Sequence, residues 1–264
     1  MKRLLFGLVL VADLAIAGNL SVNVKNFNFK YTSPYGEGSA SSFSRNQIID
    51  QGVFVRVDKV DNNFHLNVSG AETQEFIFEN APSFMTEAET MTISGFNLGL
   101  NQKASLSLTQ GRFHSREDSL ALDGVSLDCA RDANKKEILD QLIMGCLQNL
   151  TLKTSKFSSQ ATQEVLVNAL MEAAPQGSIG VNSLDLKINS GKYVLAADVK
   201  ADISGKVKSS GFTSYDVASG KLTIKIAEVK FGFLNITGKV FEELKKKESA
   251  SMTVNQPYVY LKLK

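Results

Sequence analysis

Residues 193 to 207 read Tyr193-Val194-Leu195-Ala196-Ala197-Asp198-Val199-Lys200-Ala201-Asp202-Ile203-Ser204-Gly205-Lys206-Val207. Apolar or small residues take every second place (Tyr193, Leu195, Ala197, Val199, Ala201, Ile203, Gly205, Val207), while Asp198, Lys200, Asp202, Ser204 and Lys206 take the other set. A period of two marks a β-strand with one buried and one wet face. Read as one element, the stretch predicts a strand roughly 50 Å long, at about 3.3 Å per residue. Twist accumulates along strands of that length, so their sheet must coil. The expected architecture is an elongated, curved sheet.

The same alternation recurs at Leu20, Val22 and Val24, at Val53, Val55 and Val57, at Phe64, Leu66 and Val68, and at Phe76 and Phe78. Several strands change phase partway. Val22 and Val24 give way to Phe27, Phe29 and Tyr31; Met91 and Ile93 pass through Gly95 to Phe96, Leu98 and Leu100; Leu222, Ile224 and Ile226 give way to Val229, Phe231 and Phe233. An odd step of this kind is what a β-bulge inserts, and a bulge bends its strand. Residues 32 to 50 hold five serines with Gly36 and Gly38 and hardly any periodicity, which predicts a long loop, either a surface excursion or a lid. The fold class expected is mainly β with a few helices (α+β): a long, bent antiparallel meander wrapping around one or more helices.

Helical spacing is confined to three internal segments. Ile138, Leu139, Leu142, Ile143 and Cys146 share one face of a helix near 133 to 145, with Asp132 as its N-cap. Residues 159 to 174 carry Val165, Leu166, Ala169, Leu170 and Ala173 on one face and stop at Pro175. Thr237 caps a short helix with Val240, Phe241 and Leu244 inward and Lys245, Lys246 and Lys247 in its last turn, where cations are favourable and where they could also touch lipid headgroups.

The chain opens with basic Lys2-Arg3, a nine-residue apolar stretch from Leu4 to Ala12, and Ala15-Ile16-Ala17 before Gly18. This is the layout of a cleaved secretory signal over residues 1–17, leaving 18–264 as an exported domain of the periplasm or the extracellular medium. Cys129 and Cys146 are the only cysteines, and in an oxidising compartment such a pair is expected to be bridged. A helix running from 133 to 145 would separate them by about 20 Å. A bridge therefore requires residues 130 to 134 to run back alongside a shorter helix; otherwise Cys146 is a buried thiol.

With 29 basic and 27 acidic residues there is no overall charge excess to hold nucleic acid. Only His65 and His114 are present, and no HExxH, GxSxG, Walker A or GxGxxG motif occurs. A non-catalytic protein without metal or cofactor is expected.

Residues 92–101, Thr-Ile-Ser-Gly-Phe-Asn-Leu-Gly-Leu-Asn, resemble residues 180–189, Gly-Val-Asn-Ser-Leu-Asp-Leu-Lys-Ile-Asn. The strand Ser119 to Leu122 before one helix likewise parallels Lys221 to Ile224 before another. The single domain therefore allows two stacked meander-plus-helix units, about 18–157 and 158–264.

From about residue 179 onward the order is strand, very long strand, short strand, bent strand, Thr-capped helix and two closing strands, Met252-Thr253-Val254 and Val259 to Leu263. This order resembles the bacterial tubular lipid-binding (TULIP-like) domains and, less closely, the AsmA-like β-groove proteins of the envelope. The resemblance implies an apolar groove for lipid or another hydrophobic ligand, lined here by Leu195, Val199, Ile203, Leu222, Ile224, Ile226, Phe231 and Phe233, with peripheral membrane contact. The competing expectation is a structural or adhesive envelope protein that holds a protein partner by a strand edge or the 32–50 loop.

Overall fold

The computed structural model describes residues 21–45, 48–61, 63–70, 73–78, 88–115, 119–159, 180–200 and 205–263. The signal segment, the helical pattern of 160–174 and the 201–204 part of the long alternation lie outside them. Among the described residues seventeen strands form one antiparallel sheet, accompanied by two helices. The first run is β1 (Val22–Thr32), β2 (Tyr35–Arg45), β3 (Ile48–Val60), β4 (Asn63–Ser69), β5 (Thr73–Phe78), β6 (Ala88–Leu100), β7 (Lys103–Ser115) and β8 (Ser119–Ala130). Then come α1 (Ile138–Gln148), β9 (Asn149–Thr154), β10 (Lys156–Ser159), β11 (Gly180–Asn189), β12 (Lys192–Lys200), β13 (Gly205–Asp216) and β14 (Lys221–Phe231). The chain closes with β15 (Leu234–Asn235), α2 (Thr237–Lys246), β16 (Met252–Asn255) and β17 (Tyr258–Lys262).

From one edge the hydrogen-bonded ladder runs β5, β4, β3, β2, β1 and then, by a return of the chain, β6, β7 and β8. It continues through β9 and β10, which follow each other end to end between β8 and β11, to β12, β13, β14, β17 and β16. The second run is thus stitched directly onto the first.

All three phase changes in the sequence are bulges. The β1–β6 register shifts at Phe27, with Asn26 and Gly95 in the left-handed region at φ 51° and 63°. Between β13 and β14 the pairing steps from Ser210–Glu228 to Gly211–Ile226, leaving Ala227 as the extra residue. Each bulge keeps apolar side chains on one face while turning the strand.

The 193–207 alternation is not one strand. The chain reverses within it: Val199 pairs with Gly205, and β12 and β13 lie side by side as a hairpin. Opposed residues in this hairpin are both odd-numbered or both even-numbered, so the odd set faces inward on both arms and the alternation passes through the turn unbroken.

Among the described residues, the expected 32–50 loop is mostly strand, with a turn at Ser33-Pro34. β2 sits between β1 and β3, and its small residues answer the bulky β1 side chains beside it. A Cβ on Gly36 would lie 2.7 Å from the Phe29 ring and 2.9 Å from Tyr31, and one on Gly38 would meet the Asn28 carbonyl. Low hydrophobicity here reflects close packing, where a loop would owe it to exposure.

The helix foreseen at 133 begins at Ile138, with Glu137 as its N-cap. Asp132 accepts the Asn134 N–H at 3.1 Å in a local turn and does not cap the helix. Arg131 Nε donates to Gln141 Oε1 at 2.6 Å, and Gln141 Nε2 donates to the Lys135 carbonyl at 2.7 Å, so residues 131–135 run back along α1. That path brings Cys129 and Cys146 to disulfide distance, their Cα atoms 4.7 Å apart. Thr237 is likewise not a cap. Its hydroxyl accepts the Val229 N–H at 2.8 Å and donates to Asn235 Oδ1 at 2.7 Å, tying α2 to β14.

The buried residues form four clusters. The first, under α1, gathers Val22, Leu98, Leu100, Ala104, Cys129, Leu142, Leu150, Ile188 and Tyr193. The second joins Phe29 and Tyr31 to Val57, Phe64, Leu66, Ala88 and Met91. The third centres on Val199, Val207 and Phe231, and the fourth packs Phe241 of α2 on Val254, Val259 and Leu261. Asp140 of α1, 3% exposed, accepts the Tyr215 hydroxyl at 2.9 Å and so fixes the helix to β13.

Candidate ligand groove

In an antiparallel sheet, directly opposed residues share a face, so apolar positions can line up across many strands. One such row crosses eight strands: Phe43 of β2, Val24 of β1, Leu98 of β6, Leu106 of β7, Leu127 of β8, Leu152 of β9, Leu186 of β11 and Leu195 of β12. Each stands opposite the next. Seven interstrand steps of about 4.8 Å give a lane of roughly 34 Å.

The row beside it is Val22, Leu100, Ala104, Cys129, Leu150, Ile188, Tyr193 and Gly211. This second row is fully buried, with Leu142, Cys146 and Leu147 of α1 packed in the same cluster. In the lane only Leu98 is buried; the other seven side chains keep part of their surface open. Leucine dominates it, giving an apolar strip without a polar side chain.

The lane ends at a polar pair. Leu195 is opposed by Ser209, whose hydroxyl lies 3.1 Å from that of Tyr193. Burial pushes the Tyr193 phenol up from its ordinary range, partly offset by the Ser209 contact, so it stays a neutral donor and acceptor. A hydrocarbon chain laid along the leucines would meet its first hydroxyls here.

The groove residues expected from sequence are scattered around this lane. Leu195 forms its end. Val199 and Phe231, 2% and 7% exposed, are packed into the third cluster. Half-buried Leu222, Ile224 and Ile226 lean on the α2 cluster. Ile203 lies outside the described residues. Phe233, expected to face inward, is instead 90% exposed, because the chain turns at Gly232 (φ 58°) and brings Leu234 opposite Phe231, ending the alternation that would have carried it inward.

The sequence pattern does not single out Phe43, Val24, Leu98, Leu106, Leu127, Leu152 and Leu186 as groove residues. The signal that could have found two of them is the similarity of 92–101 to 180–189. In that alignment Leu98 matches Leu186 and Leu100 matches Ile188, and the structure puts each match in one row. The second similarity does not follow the first. From β6 to β8 is two strands and from β11 to β14 is three, so the two matches do not superpose as one repeated unit.

A concavity of about 810 Å³ lies away from the lane, over β1, β2, β3, β4 and β6, with Lys30, Glu37, Phe54, Arg56 and Asn67 in its lining. The Arg56 guanidinium is held protonated by Asp58, 3.0 Å away. Among the described residues no three His, Cys, Asp or Glu side chains gather to hold a metal.

No family model matches the chain, and neither does any curated protein or solved structure.

Proposed function

We propose that this protein binds one extended hydrophobic chain, such as the acyl chain of a lipid, along the lane from Phe43 to Leu195, and that it stores or carries that ligand without chemistry. The observation that carries the reading is the unbroken, half-open row of apolar side chains across eight strands. Partly open leucines leave apolar area in water, and covering it is favourable by about 25 cal/mol per Å². The TULIP-like or AsmA-like assignment belongs to this proposal, with the sheet curling around α1 and a bound chain.

An exported location is part of the same reading. The cysteine pair at disulfide distance is compatible with an oxidising compartment, and among the described residues no helix is long and apolar enough to cross a membrane.

The test is titration of the purified chain with a fluorescent fatty acid, followed by competition with unlabelled phospholipid. Saturable uptake displaced by phospholipid is expected; a non-saturating signal that phospholipid leaves unchanged would end the proposal. The protein-partner alternative draws its support from the concavity over β1, β2, β3, β4 and β6, to whose lining Glu37, Gly38 and Ser39 of β2 contribute. In that reading Phe54→Ala abolishes capture of a partner while fatty-acid uptake is absent.

A further inference from the structure

The face of the sheet opposite the lane is not uniform. Residues 180–264 hold fourteen lysines, no arginine and eight carboxylates, whereas residues 1–179 hold fifteen basic and nineteen acidic residues. The excess has a place. On the outward positions of β12, β13, β14 and β17, Lys192, Phe212, Lys225 and Tyr258 stand opposite one another in a row. Lys192 Nζ is 6.0 Å from the Phe212 ring, Lys225 Nζ 6.0 Å from Tyr258 and Lys221 Nζ 5.3 Å from Tyr260, while the two tyrosine rings stack at 6.0 Å. Val194 and Phe212, 60% and 48% exposed, lie on the same face.

The carboxylates of this face are largely used locally. Asp198 pairs with Lys206 at 3.7 Å and Glu228 with Lys230 at 2.7 Å, while Asp216 accepts the Ser219 hydroxyl and faces Lys221. Among the described residues, Lys192, Lys208, Lys225 and Lys262 have no carboxylate within salt-bridge distance.

We propose that this outward face of β12, β13, β14 and β17 docks on a layer of anionic phospholipid headgroups. Free cations complement lipid phosphates, and each lysine near an anionic bilayer contributes about 1 kcal/mol. The choice of cation favours lipid over other polyanions. Arginine forks suit the fixed geometry of nucleic-acid or glycan anions, but lysine is a flexible point charge that reaches mobile phosphates while its stem lies on apolar surface. Tyrosine and phenylalanine between the lysines suit a boundary that is wet on one side and apolar on the other. This proposal stands apart from the lane, which lies on the other face.

The experiment is co-sedimentation of the full chain with vesicles of equimolar phosphatidylglycerol and phosphatidylcholine, against vesicles of phosphatidylcholine alone. Binding to the anionic vesicles only, weakened by salt, is expected. The double variant Lys192→Glu/Lys225→Glu should bind roughly 30-fold or more weakly, since two favourable lysine contacts are lost, whereas Lys25→Glu/Lys30→Glu on β1 should bind as the parent does. Circular dichroism of each variant keeps unfolding distinct from lost docking. Equal binding to both vesicle types, equal effects of the two variants, or retention on an anionic polysaccharide with no vesicle binding would each overturn the proposal. Leu127→Asp in the lane should leave vesicle binding intact, so failure of the lane and failure of this face can be told apart.

Discussion

Leu98 and Leu186, on strands β6 and β11, lie in one cross-strand row, joined through Leu106, Leu127 and Leu152, each directly opposite the next. A single charge placed in the middle of that row should interrupt it. Leu127→Asp is expected to abolish fatty-acid uptake, and Leu127→Met, which keeps volume and apolarity, to preserve it. Fluorescence titration of the two variants decides; equal uptake by both would remove the lane as the binding site.

The cysteine pair closes a chain segment of sequence separation 17 and ties α1 to β8 above the buried row. Loop-closure entropy for a segment of that size is worth about 3 kcal/mol. Cys146→Ser, or full reduction, should therefore lower stability by about that amount and loosen α1. Denaturant unfolding with and without reductant measures it, and unchanged midpoints would show that the link contributes nothing.

If residues 35–45 were a mobile loop, a methyl group at Gly38 would be harmless. Packed as β2 against β1, it would press on the Asn28 carbonyl. Gly38→Ala is predicted to cost about 1–3 kcal/mol, and Ser41→Ala, which removes only an exposed hydrogen bond to the Lys25 carbonyl that water can replace, about 0.5 kcal/mol. Equal costs in chemical denaturation would contradict the strand.

This strand also shows what the sequence could and could not convey. Bulges were legible because an odd step in alternation has one structural cause, and all three were found where the phase changed. The β12–β13 turn was hidden because opposed residues there share parity. β2 was hidden because its composition answers to Phe29 and Tyr31, which no local pattern reveals. The lane was beyond reach for a related reason. Alternation assigns a face to each leucine, but alignment across eight strands depends on register, which only the turns and bulges together set.

The Arg112 guanidinium, 2.6 Å from Asp123, holds that carboxyl below its ordinary range despite some opposing burial. A carboxyl depressed in the folded state contributes stability above the unfolded-state value of about 3.9, and that contribution is lost as pH falls through the folded value. The stability difference between the parent and Asp123→Asn should thus be constant above pH about 5 and shrink below pH about 4. A difference that grows on acidification would reverse the sign and refute the pairing.

Removing the Tyr215 hydroxyl leaves the buried Asp140 short of one donor. Tyr215→Phe is expected to cost about 1–3 kcal/mol, and hydrogen exchange should quicken in α1 more than in β4. Uniform protection in both would mean that the contact does not hold the helix.

The central claim, that the leucine row holds an extended hydrophobic chain, meets its most direct test in native mass spectrometry of the gently purified protein. A discrete adduct of lipid mass, lost in Leu127→Asp and restored to the parent chain by added phospholipid, is the predicted result. A bare chain that also refuses added phospholipid would mean that the row is closed core, and would contradict the account.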